Sequence, residues 1–135
     1  MANQIQKIMY EGHLVAEPEM SYTASGKSVT NFRIGSNREY KNGEGTKIKE
    51  VTWLKIVAWG KLGEIVNQYC GKGSHVIVEG ILRVSDTGSP KVYQLSSGEW
   101  GASFEITANS VRILKGKGEA GEYKTPEADD EDLPF

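Results

Sequence analysis

Residues 51 to 59 read Val51-Thr52-Trp53-Leu54-Lys55-Ile56-Val57-Ala58-Trp59. Side chains alternate between the two faces of a β-strand, and this segment alternates in chemistry over its whole length. One face carries Thr52, Leu54, Ile56 and Ala58, which suits the interior of a β-barrel. The other face carries Val51, Trp53, Lys55, Val57 and Trp59. The segment therefore predicts a strand with a packed inner face and a mixed aromatic and basic outer face.

Four further strands are predicted around this one from β-branched and aromatic runs that glycine-containing turns separate. They cover residues 5–15, 28–39, 75–84 and 103–114, and the polar stretch 41–46 reads as a hairpin loop. In the 75–84 strand, one face is expected to carry Val76, Val78, Gly80, Leu82 and Val84.

One helix is predicted between the third and fourth strands. Within residues 61–70 the apolar side chains fall at i, i+3, i+4, i+7 and i+8, and Gly71 follows where a helix-terminating glycine is expected. Five strands with a helix after the third is the order of an OB-fold barrel, so we predict an all-β, five-stranded OB-fold over residues 1–115.

The chain changes character after residue 115. Residues 1–115 carry 14 Lys and Arg against 11 Asp and Glu, whereas residues 116–135 carry 2 against 7. Residues 116–128 lack large aliphatic side chains, and we predict a short flexible linker there. Residues 129–135 are predicted to form a disordered acidic tip that binds partner proteins. A terminal phenylalanine offers an aromatic ring to an apolar pocket, and a tail that only increased solubility would not need one. The tip reads Asp129-Asp130-Glu131-Asp132-Leu133-Pro134-Phe135.

The outer face of residues 51–59 is the main candidate site. Two tryptophans with a lysine between them could stack bases beside a phosphate-binding cation, because every base has a π-face. Core packing or a subunit interface would also explain the tryptophans, but lysine is rarely buried without a partner. Single-stranded nucleic acid is therefore the predicted ligand of Trp53, Lys55 and Trp59.

Further aromatic and basic residues are weaker candidates. Tyr40 lies between Arg38 and Lys41 beside the predicted loop, and could stack a base or simply face solvent. Tyr93 and Trp100 lie in the connection between strands four and five, which binds oligonucleotides in OB-folds. Basic side chains that could contact phosphates, or be ordinary surface charges, are Arg33, Lys61, Lys72, Arg83 and Lys91.

No catalytic or cofactor motif accompanies this site. His13 and His75 lack ligands at metal-binding spacing, and Cys70, the single cysteine, lies on the apolar helical face. We predict no enzyme, no metal and no cofactor. The sequence also has neither a signal-peptide pattern nor an apolar run of roughly 20 residues, so a soluble intracellular protein is expected.

With these residues in view, the chain resembles the bacterial-type single-stranded-DNA-binding protein family. The matching segments are 31–34, 53–62, 71–74, 78–83 and the acidic Leu-Pro-Phe end. The resemblance implies a cytoplasmic, nucleoid-associated OB-fold homotetramer that protects DNA during replication, recombination and repair. It implies base stacking by Tyr40, Trp53 and Trp59. It implies backbone contacts by Lys55, Lys61, Lys72 and Arg83, and binding of replication, recombination and repair proteins by the tip.

The sequence departs from this family at three places. A tryptophan frequent in the family has no counterpart near Thr87, and Tyr93 and Trp100 are the candidates to replace it. The linker is short for the family, and Leu133 stands where isoleucine is common.

Two other functions remain possible from the residues. A primosomal or replication-restart accessory protein would share the fold but have no need of the acidic tip. An OB-fold module that binds oligosaccharide or protein would explain the tryptophans, but not the interleaved lysines.

Overall fold

The computed structural model describes residues 3–118, and the predicted tip and most of the predicted linker lie outside this range. Its elements are β1 (Ile8–Leu14), β2 (Glu19–Tyr22), β3 (Ser28–Lys41), β4 (Lys47–Trp59), α1 (Gly60–Tyr69), β5 (His75–Leu82), β6 (Val92–Gln94), β7 (Trp100–Ala102) and β8 (Phe104–Lys115).

Five of the strands close into a barrel. The order is β1-β5-β8-β4-β3, and β3 pairs back onto β1 at His13 opposite Gly35 and Leu14 opposite Ile34. The β4–β8 pairing is parallel and the other barrel pairings are antiparallel. This confirms the predicted five-stranded OB-fold with one helix after the third barrel strand.

Barrel closure depends on a close approach between β5 and β8 at Gly80. A Cβ atom at that position would lie 2.0 Å from the carbonyl oxygen of Thr107, and the β5–β8 register shifts between Glu79 and Gly80. Only glycine lets the two backbones meet there.

The barrel interior is filled by the inner rows of the strands. Leu54, Ile56 and Ala58 of β4 are buried as predicted, and they pack with side chains from the other barrel strands, whereas Thr52, predicted for the same face, is only partly buried. In β5, Val76 and Val78 are buried, whereas Leu82 and Val84 are exposed because β5 ends at Leu82. The strand predicted over 75–84 thus ends two residues earlier than predicted, and the last two residues of its row are exposed.

Helix α1 covers one end of the barrel. Val66 is buried in the core, and the Thr30 hydroxyl donates a hydrogen bond of 2.8 Å to the Gly63 carbonyl. The helix ends at Cys70, which is extended (φ −113°, ψ 147°), so Gly71 is not the left-handed cap that was predicted. A Cβ at Gly71 would lie 2.9 Å from the Glu17 carboxylate, the end of a flexible side chain that can move aside.

Three short strands were not predicted. β2 pairs with β3 at the edge of the sheet, and β6 and β7 form a separate hairpin within the 85–102 connection. Each has only three or four residues, too few for an alternating pattern to stand out from loop sequence.

Candidate nucleic-acid interface

The outer face of β4 presents its two tryptophans to solvent. Trp53 is 42% exposed and Trp59 is 37% exposed. Across the β3–β4 pairing, Trp53 faces Gly35 and Lys55 faces Arg33. Glycine beside Trp53 leaves one flank of that indole uncovered, and the Arg33–Lys55 pair places two cations next to it.

The two tryptophans do not form one continuous surface. Val57 lies between them on the same face but is buried, with 5% of its surface exposed. Trp59 follows Trp53 by six residue steps along the strand, a distance of about 20 Å. Each ring therefore belongs to its own local surface, and one nucleotide cannot touch both.

A groove opens beside Trp53, and we call it the Trp53 groove. It forms because β4 pairs with β8 only from Leu54 opposite Phe104 onward, while the chain before Phe104 turns away into the β6–β7 hairpin. Its volume is about 650 Å³. Its lining includes Arg33, Val51, Trp53, Lys55, Ala102 and Phe104. Aromatic, apolar and basic side chains thus share one open concave surface.

An acidic side chain in β8 organises the charges near this groove. Glu105 is 13% exposed at its side chain, and its carboxylate lies 3.7 Å from the Lys55 ammonium and 3.5 Å from that of Lys91. Lys91 precedes β6, so the carboxylate links the hairpin to the barrel. Both lysine side chains stay partly exposed and can reach a ligand phosphate.

A cation also lies over Trp59. The Lys27 ammonium is 5.3 Å from the centre of the indole, within the range of a cation–π contact. Lys27 was not among the residues predicted from the sequence. The contact depends on the β3–β4 register, which pairs Val29 with Trp59 and so brings Lys27, two residues earlier, close to the indole.

Tyr40 lies on the other face of the β3–β4 hairpin. It pairs with Ile48 in the same unbroken register that pairs Phe32 with Ile56 inside the barrel, so alternation separates it from Trp53. Its ring lies 4.4 Å from the Arg38 guanidinium, which also forms a 2.9 Å ion pair with Glu50. Each face of the hairpin therefore presents one aromatic ring close to a basic side chain: Trp53 on one face and Tyr40 on the other.

Tyr93 and Trp100 occupy opposite faces of the β6–β7 hairpin. Tyr93 pairs with Gly101, and its ring covers that glycine so closely that a Cβ there would lie 2.9 Å from it. Trp100 is 70% exposed and shares its face with Ala102, which lines the Trp53 groove. The hairpin thus directs Trp100, rather than Tyr93, along the face that contains the groove.

The predicted phosphate contacts divide into two groups. Arg33 and Lys55 line the Trp53 groove, and the backbone N–H of Arg83 donates a 2.8 Å hydrogen bond to the carbonyl of Glu105, whose side chain pairs with Lys55. Lys61 lies in the first turn of α1, two residues after Trp59, and Lys72 lies in the turn that follows the helix.

The two histidines meet across the β1–β5 pairing, an arrangement that the sequence analysis missed. The rings of His13 and His75 stack with centroids 4.4 Å apart, and His75 Nε2 lies 2.7 Å from the Glu11 carboxylate. Burial, with the neighbouring His75, lowers the pKa of His13 to about 4.

Burial raises the pKa of the Cys70 thiol to about 11, so that thiol is protonated at neutral pH and a poor nucleophile.

Within residues 3–118 no group of three or more His, Cys, Asp or Glu side chains could hold a metal ion. Over the same residues, no helix has the length and apolar character needed to cross a bilayer.

Comparison with known proteins places the chain in a family. The model of the single-strand binding protein family matches residues 5–114. Single-stranded DNA-binding protein 1 of Chlorobaculum tepidum is 36% identical over 121 residues, which cover 90% of this chain and 72% of that protein. The single-stranded DNA-binding protein of Xanthomonas campestris is 36% identical over 120 residues, covering 88% and 66%. The chain thus spans about two thirds of the length of these curated relatives.

The fold agrees with this assignment. A Plasmodium falciparum SSB solved in complex with ssDNA superposes with a TM-score of 0.68 at 19% identity, over 85% of this chain and 99% of that one. At that identity the likeness concerns the fold alone. Together with the match over residues 5–114, it leads to one conclusion: the chain belongs to the single-strand binding protein family.

Proposed function

We propose that this chain binds single-stranded DNA without sequence preference, through the outer face of β4 and the surfaces beside it. The observation that carries the proposal is the pairing of exposed indoles with cations: Trp53 beside Arg33 and Lys55, and Trp59 beneath Lys27. Stacking on such rings tolerates any base and contributes about 1–3 kcal/mol per base, while the cations follow the phosphates. Family membership supports the same ligand.

Tryptophan fluorescence during titration with oligothymidine tests the proposal. Binding should quench the emission strongly, and Trp53→Ala and Trp59→Ala should each weaken binding while the circular-dichroism spectrum stays β-rich. A duplex of the same length is the control and should bind far more weakly. Parent-like affinity in either variant would make that tryptophan structural, and no binding by the parent would end the proposal.

The cations predict a dependence on salt. Each neutralised phosphate releases counterions, so log K should fall with log salt concentration by about 0.7 per contact on a single strand. The slope should become shallower in Lys55→Gln. A salt-independent affinity would mean that the basic residues do not bind the phosphates.

We also propose that residues 1–115 assemble as a homotetramer. Among the aliphatic side chains of β1 and β5, Val76 is buried and Ile8 packs against the core, so neither is available for association. Ile5, Met9 and Ile81 are exposed and give apolar surface that association could cover. Light scattering should give about four times the 14.8 kDa chain mass, and a monomer at micromolar concentration would contradict the proposal.

The acidic tip is proposed to recruit proteins of replication, recombination and repair in the bacterial cytoplasm, where the chain would protect single-stranded DNA at the nucleoid. The support is chemical: four acids precede Leu133, Pro134 and Phe135. Phe135→Ala keeps all four acids, so it should leave DNA affinity unchanged and abolish capture of tip-binding partners from a bacterial lysate. If this variant captures as much partner protein as the parent, the tip acts only as a solubilising segment.

A further inference from the structure

Phe104 is the first residue of β8, and its exposure is unexpected from its position in the strand. It belongs to the same alternating row as Ile106 and Ala108, which are buried in the core. Phe104 itself is 60% exposed. The row runs past the end of the packed interior, so the ring emerges at the open end of the barrel.

The exposed ring faces a surface with a particular chemistry. Phe104 lines the Trp53 groove, and β8 begins to pair with β4 at Phe104 opposite Leu54, one residue from Trp53. Alternation places Phe104, opposite Leu54, on the inner row and Trp53 on the outer row, yet β4 and β8 stop pairing here and both side chains line the groove between them. Arg33 and Lys55 line the same groove.

From this geometry we infer that Phe104 is a second base-stacking residue, which with Trp53 gives the Trp53 groove two aromatic surfaces for the bases of one strand. The inference rests on the proposed binding of single-stranded DNA. Aromatic rings provide the stacking surfaces, and the two cations match the phosphates that connect the bases. A protein ligand with aromatic and acidic side chains has similar chemistry, but a strand of DNA supplies an aromatic base and a negatively charged phosphate at every nucleotide.

A set of substitutions at Phe104 separates stacking from simple apolar contact. Phe104→Ala and Phe104→Leu should both weaken binding to oligothymidine, by roughly 5- to 100-fold, because both remove the ring. Phe104→Tyr keeps the ring and should bind like the parent. Val92→Ala is the matched control, because Val92 is exposed on the neighbouring hairpin but does not line the groove, and its affinity should not change.

Photocrosslinking gives a readout that does not depend on any variant. An oligothymidine carrying 5-iodouracil, irradiated in complex with the parent protein, should crosslink to the peptide that contains Phe104 as well as to that of Trp53. If the parent binds, Trp53→Ala weakens binding, and yet Phe104→Ala binds normally with no crosslink at Phe104, the inference fails alone. If Phe104→Leu binds like the parent, the side chain acts as an apolar contact and not as a stacking ring. If the parent does not bind the oligonucleotide, the proposed function itself fails.

Discussion

The long β3–β4 hairpin has two regions that share one unbroken register but differ in whether a packed core lies beneath them. In its barrel part, residues 29–35 and 53–59, the inner row is buried and the outer row carries Trp53, Lys55 and Trp59. In its arm, residues 38–50, every side chain except that of Ile48 is exposed. The arm carries the exposed ion pairs Arg38–Glu50 at 2.9 Å and Lys47–Glu39 at 2.6 Å.

The difference teaches how one hairpin can provide a firm surface and an adaptable one. The barrel part holds its tryptophans against a packed core, so little conformational entropy is left to lose when a base stacks. The arm has no core beneath it, and exposed ion pairs contribute little to stability. We therefore expect the barrel part to supply most of the affinity, and the arm to add contacts that adjust to the path of the strand.

The largest expected effect compares the same substitution in the two regions. Ile56→Ala removes a fully buried side chain and should lower the free energy of unfolding by about 2–5 kcal/mol. Ile48→Ala, in the arm, should cost about 1 kcal/mol or less. Urea denaturation followed by circular dichroism at equal protein concentration measures both. Equal losses would show that the arm is supported as strongly as the barrel.

The next effect concerns DNA affinity. Trp53→Ala should weaken oligothymidine binding by about 1–3 kcal/mol, the range for one lost stack. Tyr40→Ala should cost less, because the Arg38 guanidinium already occupies one face of that ring at 4.4 Å. Fluorescence titration ranks the two variants. A larger loss at Tyr40 would reverse the assigned importance of barrel and arm.

A smaller effect of opposite sign is expected at Glu105. Glu105→Gln removes a negative charge from between Lys55 and Lys91 and leaves both ammonium groups available for phosphates. Binding at low salt should tighten severalfold, and the salt dependence should steepen by up to about 0.7 for each new phosphate contact. Glu44→Gln, in the exposed loop of the arm, is the control for a change of net charge alone. If the two variants behave alike, the ion pairs at Glu105 have no specific role.

The smallest effect tests the arm directly. A double-mutant cycle with Arg38→Ala and Glu50→Ala should give a coupling energy of about 0.2–1 kcal/mol, as is usual for exposed ion pairs. Thermal or urea unfolding of the four proteins provides the cycle. A coupling well above that range would mean that the arm is stiffened by its charges.

Much of the fold could be predicted because it depends on local patterns. The alternation in residues 51–59 is enough to identify the inner row Leu54, Ile56 and Ala58 and the outward-facing indoles, and burial agrees with both. The apolar spacing after Trp59 located α1 to within one residue at each end. The short strands β2, β6 and β7 carried too few residues for the same argument.

The candidate site was predicted less completely, because it depends on which strands become neighbours. Trp53, Trp59, Arg33 and Lys55 were recognised from composition and alternation. Lys27 over Trp59 and Glu105 between two lysines were not, since both contacts are set by register and strand order. The same holds for His13 and His75, which are distant in sequence and stacked in space.

By itself the sequence determined the barrel type, the inner and outer faces of its central strand, and the charge difference between residues 1–115 and 116–135. Periodicity and composition are properties of short segments, so they can be recognised without knowing which segments become neighbours in the fold. Only the tertiary structure decided that Tyr40 lies on the face opposite Trp53, and that Phe104, in a row of core residues, emerges beside Trp53 at the open end of the barrel. Burial depends on where the packed interior ends, and that boundary is set by the closure of strands distant in sequence.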